Sequence, residues 1–334
     1  MRIGFLIDSF AIGGTELNAI KVAESLSRHS TTLTVFHIHE NGPLRARYET
    51  LGVELLHIPL TGLVSQSARR AIARIQTDSR NRQLQLLHSH CIYTNILGIG
   101  VRRLALNGTP ILASRRWTGD VPRRGLATLN RIAQSTADAV LVNSPSLVDV
   151  VRNESPWSKP VYVPNMIPEG NFRIISTAER SEKRKAVGLP PDAPIVGYVA
   201  RIAPVKNHRM LLDAWRSVIA RVPDARLAII GDGGTRADLE ALANEYGVSN
   251  SVHFTGGISP ENMPHSLLDI SVLTSLDEGF PNSLLEAMAQ QVPVLSTNVG
   301  GVGDLVSHQR NGLLVNVNDV DSFASSLTGM LNGS

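Results

Sequence analysis

The chain has 334 residues, 43% of them apolar and only 4% aromatic, which is ordinary core content and comfortable length for two globular domains. A single cysteine, Cys91, excludes an internal disulfide and suits a reducing compartment, and no apolar run approaches the ~18 to 20 residues that span a bilayer. The net charge of +3 conceals a split, because residues 1–169 hold 19 Lys and Arg against 12 Asp and Glu while residues 170–334 hold 13 against 17.

Residues 2–7, 32–37, 54–57, 84–88, 110–113 and 139–142 read as strands, being short apolar runs rich in β-branched residues. Between them, 15–28, 67–82, 96–107, 124–137 and 145–153 carry helical spacing. The first strand begins at once, with no leader pattern, so a cytosolic chain is expected, free or held on the inner face of a membrane. Pro160, Pro164 and Pro168 interrupt the alternation, and a charged helical stretch over 178–187 follows. A second series then starts, with strands at 195–198, 226–230, 251–254, 270–273, 293–296 and 312–315 and helices at 208–221, 235–246, 283–290 and 319–331. Such alternation predicts an α/β protein of two doubly wound, Rossmann-like domains, residues 1–168 and 169–334, facing across a cleft that holds the ligand.

The basic first half is almost all arginine, with only Lys21 and Lys159 as lysines, and its arginines cluster at 69, 70 and 74, 80 and 82, 102 and 103, 115 and 116, and 123 and 124. It predicts an anionic partner, either a phosphate or an anionic membrane surface, or simply a solvated arginine-rich face. Nucleic acid is not expected as a partner, because no binding motif or aromatic-interleaved patch is present. Gly13-Gly14-Thr15-Glu16 follows the first strand and opens a helix, so it is a backbone cradle for phosphate or a plain turn, and it is not the dinucleotide fingerprint. His88-Ser89-His90 ends the fourth strand with both histidines on one face, and His90, nearer the following loop, is the favoured candidate for contact with a sugar or a proton. No cluster of ligand residues predicts a metal.

Arg201 and Lys206 lie five apart across a proline turn at a strand's carboxyl end, a spacing that suits a diphosphate but also occurs in surface pairs. Gly231-Asp232-Gly233-Gly234 reads as a tight turn with close backbone approach. Most informative is the run Glu278-Gly279-Phe280-Pro281-Asn282-Ser283-Leu284-Leu285-Glu286. It predicts a strand-end loop carrying Glu278, a helix capped by Asn282 or Ser283, and Glu286 in the first turn. The free N–H groups of such a helix start attract an anion, and the two flanking acids suit the hydroxyls of a sugar nucleotide. Ser283-x-x-Glu286 is equally the signature of a capping box, in which Glu286 only closes the helix start.

The run 197–206, Gly231-Asp232-Gly233, the stretch from Glu278 to Glu286 with Ala287-Met288-Ala289, and Gly300-Gly301-Val302 together resemble glycosyltransferase family 4, over the whole second half of the chain. Gly13-Gly14-Thr15-Glu16 and His88-Ser89-His90 look like the corresponding elements of that family's first domain. The resemblance implies a GT-B fold and retaining transfer of a sugar from a nucleotide-sugar donor to a glycan or lipid-linked acceptor, in the making of a cell-envelope or extracellular polysaccharide. It implies that Glu278 binds hydroxyls of the donor sugar, that Glu286 binds the ribose, and that Arg201 and Lys206 hold the diphosphate and stabilise the leaving charge. Phe280, Pro281, Asn282, Ser283 and Leu284, with Gly13, Gly14 and Gly231, would complete the donor cradle, and His90 would join the catalytic group. No metal or other cofactor is implied, and the suggested route is front-face substitution assisted by the leaving phosphate. The acceptor would lie on the basic first half, where Arg115, Arg116, Trp117, Arg123 and Arg124 are candidates for a lipid-linked phosphate.

Two features depart from that family. Its Asn-Gly-x-Asp junction is here Asn165-Met166-Ile167-Pro168, and Ser334 follows closely on the last helical stretch, so a helix crossing back to the first domain is expected to be absent or cut off. Two other readings stay open on sequence: a sugar-nucleotide epimerase of similar build, which needs no acceptor, and a non-catalytic sugar-nucleotide-binding subunit.

Overall fold

A computed structural model describes residues 1–104, 108–119, 124–258, 262 and 264–333. The chain divides into two compact units, Met1–Met166 and Ile167–Ser334.

The first unit contains β1 (Arg2–Ile7), α1 (Gly14–Ser27), β2 (Thr32–His37), α2 (Arg45–Thr50), β3 (Glu54–His57), α3 (Gln66–Asn81) and β4 (Leu86–Ser89). It continues with α4 (Ile92–Leu104), β5 (Ile111–Arg115), α5 (Arg124–Thr136), β6 (Ala139–Val142), α6 (Pro145–Glu154) and β7 (Pro160–Tyr162). Its seven strands form one sheet in the order β3-β2-β1-β4-β5-β6-β7. Every strand pairing among the described residues is parallel. β1 and β2 are buried along all but their first residue, as expected where helices cover both faces of a parallel sheet. Two elements were not foreseen. The short α2 is one and a half turns with no cap signal, and β7 starts at Pro160, which read as an interruption. A proline is tolerated there because β7 is the edge strand and needs no donor on its outer side.

The second unit opens with α7 (Thr177–Ala186), then runs β8 (Ile195–Val199), α8 (His208–Arg221), β9 (Arg226–Ile230), α9 (Arg236–Glu245), β10 (Val252–Gly256), β11 (Ile270–Leu273), α10 (Asn282–Ala289), β12 (Val294–Thr297), β13 (Leu313–Val315) and α11 (Val320–Leu331). The six strands are ordered β10-β9-β8-β11-β12-β13, again all parallel. Trp215 on α8 is fully buried in this core, and its indole N–H is satisfied by Ser251 Oγ at 2.9 Å.

Helix α7 is tied to this sheet by charge. Ser176 caps it, accepting from Glu179 N at 3.2 Å, the first half of a capping box. Near its other end Arg184 is buried, and its guanidinium donates to the carbonyls of Leu267, Pro191 and Ala193 and to Asp269 Oδ2. Asp269 also accepts from Arg180 and from the backbone N–H of Ile195, the first residue of β8. One carboxylate thus joins α7, β8 and the start of β11.

The strand orders decide where ligands go. In the first unit the chain builds outward through β2 and β3, then returns to place β4 on the other side of β1. In the second it builds through β9 and β10, then returns to place β11 beside β8. Helices leave the sheet in opposite directions at such a reversal, which opens a crevice beyond the carboxyl ends of the two strands. The reversals therefore mark β1/β4 and β8/β11.

Candidate active site

At the second reversal, the loop after β8 carries Arg201, a 3-10 turn at Pro204–Lys206 and Asn207, whose φ of 48° turns the backbone into α8. The loop is held by its carbonyls. Tyr198 donates its hydroxyl to Lys206 O at 2.8 Å, and Thr274 Oγ1 reaches Lys206 O at 3.2 Å and Asn207 O at 3.0 Å. The Tyr198 ring stacks on His208 at 4.4 Å, and burial, with the nearby Lys206 charge, lowers the His208 pKa to about 4.

Glu278 approaches from β11. Its Oε1 accepts from Lys206 Nζ at 2.5 Å and from Ser275 Oγ at 2.6 Å, and the residue is only 8% exposed. Its backbone carbonyl accepts from Gly301 N at 2.9 Å. The Lys206–Glu278 pair thus spans the reversal, with a buried carboxylate oriented by two donors. An ammonium has three donors, so Lys206 keeps others for a ligand oxygen. Arg201 stands exposed on the same loop with no ion pair among the described residues.

The loop after β9 explains Gly231 differently from the sequence reading. A Cβ on Gly231, whose φ is +151°, would sit 1.9 Å from Ala200 O, and one on Gly233 would sit 1.9 Å from Ile202 O. The close approach is to the Arg201 loop itself, locked there by Ile202 N donating to Asp232 O at 2.9 Å.

Helix α10 begins at Asn282 with Pro281 at the cap position and no side-chain cap bond, so neither Asn282 nor Ser283 is the cap. Its first helical bond is Leu285 N to Pro281 O, which leaves the N–H groups of Ser283 and Leu284 without a backbone acceptor among the described residues. Phe280 and Pro281 form the turn before it. Glu286 is the fifth residue of α10, past the reach of a capping box closed by Ser283. Its Oε2 lies 3.7 Å from Nε2 of the buried His265, a neighbour on the turn Pro264–Leu267 that no motif or spacing singles out.

At the first reversal, Gly13 is extended and α1 starts at Gly14, with no side-chain cap on its N–H groups. His88 lies in β4 and His90 just past it. As alternation requires, the rings share a face, their centroids 3.9 Å apart, with Phe5 against both. His88 Nε2 meets Ser114 Oγ at 2.9 Å, whereas both ring nitrogens of His90, 1% exposed, lack a partner. Burial, helped by Arg116, lowers the His88 pKa to about 3, and burial, helped by His88 and Arg116, holds His90 well below the usual range. Both rings are therefore neutral in the folded chain but protonate in the unfolded chain below pH ~6.5. Stability is fully present above that value and should fall on acidification, by up to about 1.4 kcal/mol per pH unit for each histidine until the folded values are reached. Urea titrations at pH 7.5 and 5.0 test this. The His88→Gln variant should lose less stability between the two than wild type, and an equal loss would place the acid sensitivity elsewhere.

Arg115 corrects a sequence expectation. It is fully buried, donates to Glu154 Oε1 at 3.0 Å and lies 4.4 Å from the Trp117 ring centroid, so it pins β5 to the end of α6 and is not a surface contact for an acceptor. Arg116 is half-buried beside it. Arg123 and the Arg124 side chain lie outside the described residues. Cys91 has its pKa pushed up to about 11, chiefly by burial, which removes it as a nucleophile.

Residues 179–334 match the family described as Glycosyl transferases group 1. The second half of the chain is similar to that family. The GDP-mannose-dependent alpha-(1-6)-phosphatidylinositol monomannoside mannosyltransferase of Mycobacterium tuberculosis is 32% identical to the chain over 214 residues, 61% of this chain and 55% of that protein. The lipopolysaccharide core biosynthesis glycosyltransferase LpsE of Rhizobium meliloti is 30% identical over 190 residues, 57% of this chain and 53% of that one. The chain thus spans about half the length of the curated relatives it matches. Anabaena HepE, solved in complex with UDP, superposes with a TM-score of 0.84 at 20% identity, covering 99% of this chain and 90% of that one. The two parallel sheets are those of the GT-B fold. Lys206, Glu278, Glu286 and the open start of α10 all lie inside the matched residues. No helix among the described residues is long and apolar enough to cross a membrane, and no group of three His, Cys, Asp or Glu among them could hold a metal ion.

Proposed function

We propose that the chain is a retaining glycosyltransferase that moves a sugar from a nucleotide sugar to a glycan or lipid-linked acceptor of the cell envelope. The observation that carries this is the Lys206–Glu278 pair held across the β8/β11 reversal inside the matched residues. In this reading Lys206 and the exposed Arg201 neutralise the diphosphate as it leaves, which supplies the charge stabilisation a divalent ion would otherwise give. The N–H groups of Ser283 and Leu284 take a phosphate oxygen at the positive end of α10. Glu278 accepts from the sugar hydroxyls and Glu286 from the ribose. His90 acts on the sugar or the acceptor, and the leaving phosphate deprotonates the acceptor on the face it departs from.

Relatives act with GDP-mannose and a structural neighbour holds UDP, so the base is settled by a thermal-shift panel of GDP-mannose, UDP-glucose and ADP-glucose. One base series should raise the melting temperature and the others should not. No shift with any of them overturns the donor reading. The basic first half also supports peripheral attachment to anionic membrane. Sedimentation with anionic vesicles should fade as salt rises to ~0.5 M, and binding that ignores salt would overturn the attachment.

A further inference from the structure

Arg116 stands immediately after β5. No carboxylate among the described residues pairs with it, whereas its neighbour Arg115 is neutralised by Glu154. Its Nη1 donates to Asn165 Oδ1 at 3.1 Å, and its Nε is buried with no acceptor. Burial lowers its pKa to about 10, the direction expected of a guanidinium that gives up water and gains no anion in return. The group is held in place nonetheless. The same Asn165 oxygen accepts from Asn18 Nδ2 at 2.9 Å, which links Arg116 to the opening turns of α1, a positive helix end.

Burial, the neighbouring His88 and the Arg116 charge together keep the His90 imidazole neutral. A neutral ring carries one N–H, and neither His90 nitrogen has a partner. The Asn18 amide oxygen is also buried without a partner, an acceptor in the same neighbourhood. Unsatisfied donors from β4 and β5 thus gather beside the β1/β4 reversal, where a doubly wound sheet binds its ligand. Arrangements of this kind are costly unless a ligand completes them.

We propose that Arg116 and His90 form a phosphate subsite in the first unit, and that the acceptor of the proposed transfer carries a phosphate ester. The Asn18 oxygen would take an acceptor hydroxyl. The subsite rests on the glycosyltransferase reading for its purpose, but not for its existence.

The test titrates inorganic phosphate and sn-glycerol 3-phosphate into wild-type protein and into the Arg116→Gln, Arg116→Lys and Lys206→Ala variants, followed by calorimetry. Arg116→Gln should weaken both ligands at least tenfold. Arg116→Lys should weaken them less, because an ammonium keeps the charge but cannot grip two oxygens. Lys206→Ala, which removes a phosphate ligand of the second unit, should still bind both ligands, and its remaining affinity should fall when Arg116→Gln is added. If Arg116→Gln binds phosphate as wild type does, or if only Lys206→Ala loses it, the subsite is overturned. Should Arg116→Gln fail to give the wild-type circular dichroism spectrum, Arg116→Lys carries the comparison, and wild-type affinity there together with wild-type affinity in His90→Ala overturns the proposal. GDP and UDP binding, measured alongside, belongs to the second unit. Its absence from wild type would sink the glycosyltransferase reading while leaving the phosphate result standing. Vesicles of phosphatidylglycerol and of phosphatidylcholine separate the sources. Arg116-dependent sedimentation with the former alone assigns a lipid headgroup, and Arg116-dependent binding of glycerol phosphate without sedimentation assigns a soluble ester.

Discussion

Lys206→Ala is expected to lower turnover of the active donor by about 10²- to 10³-fold, the usual loss when one preorganised donor is removed from a developing oxyanion. The structure adds a second effect that charge spacing alone does not reveal. Glu278 is 8% exposed, so the variant leaves a buried carboxylate that has lost its Lys206 counter-ion. The second unit should therefore lose about 1–2 kcal/mol of stability, less than a fully buried pair would, because Lys206 keeps part of its solvent contact. The two effects separate in the double variant Lys206→Ala with Glu278→Gln. Neutralising the acid should restore the melting temperature and leave the activity lost. Full activity in Lys206→Ala, or activity that returns with the melting temperature in the double variant, would remove Lys206 from the chemistry and make it a structural counter-ion.

Gly231→Ala is expected to cost about 3 kcal/mol or more, since it combines a backbone conformation foreign to side chains with an overlap the core must absorb. The φ of +151° and a Cβ 1.9 Å from Ala200 O act on the same residue. The cheapest relief is to push away the loop that holds Arg201, so donor affinity should fall along with stability. Gly234→Ala is the control, because nothing lies within 4 Å of its added carbon. Chemical denaturation of the two variants decides the matter, and equal stabilities would show that the turn has room the geometry denies it.

What the sequence conveyed was local. Strands such as Arg226–Ile230 and Ile270–Leu273 and helix His208–Arg221 fall where period and composition put them, because their apolar spacing is set by the sheet faces they bury. The resemblance also located the loops that carry charge. Pairings were not legible, because they depend on strand order. Lys206 and Glu278 are 72 positions apart and meet only because β11 returns to lie beside β8. Arg115 looked like its neighbour in a row of cations, and only the alternation of β5 against α6 sends it inward to Glu154. Gly231 announced a close approach but not its partner, since a glycine records the absence of a side chain and not what fills the space.

The carboxylate of Asp269 fixes where the second unit can be cut. It holds Arg184 and Arg180 of α7 and the first amide of β8 together, and α7 takes its cap from Ser176. A fragment begun at β8 would leave the Leu267 carbonyl and the Asp269 carboxylate without Arg184, while one begun at residue 179 would discard the cap. Any stand-alone piece of the second unit prepared for crystallisation or screening has to start upstream of Ser176.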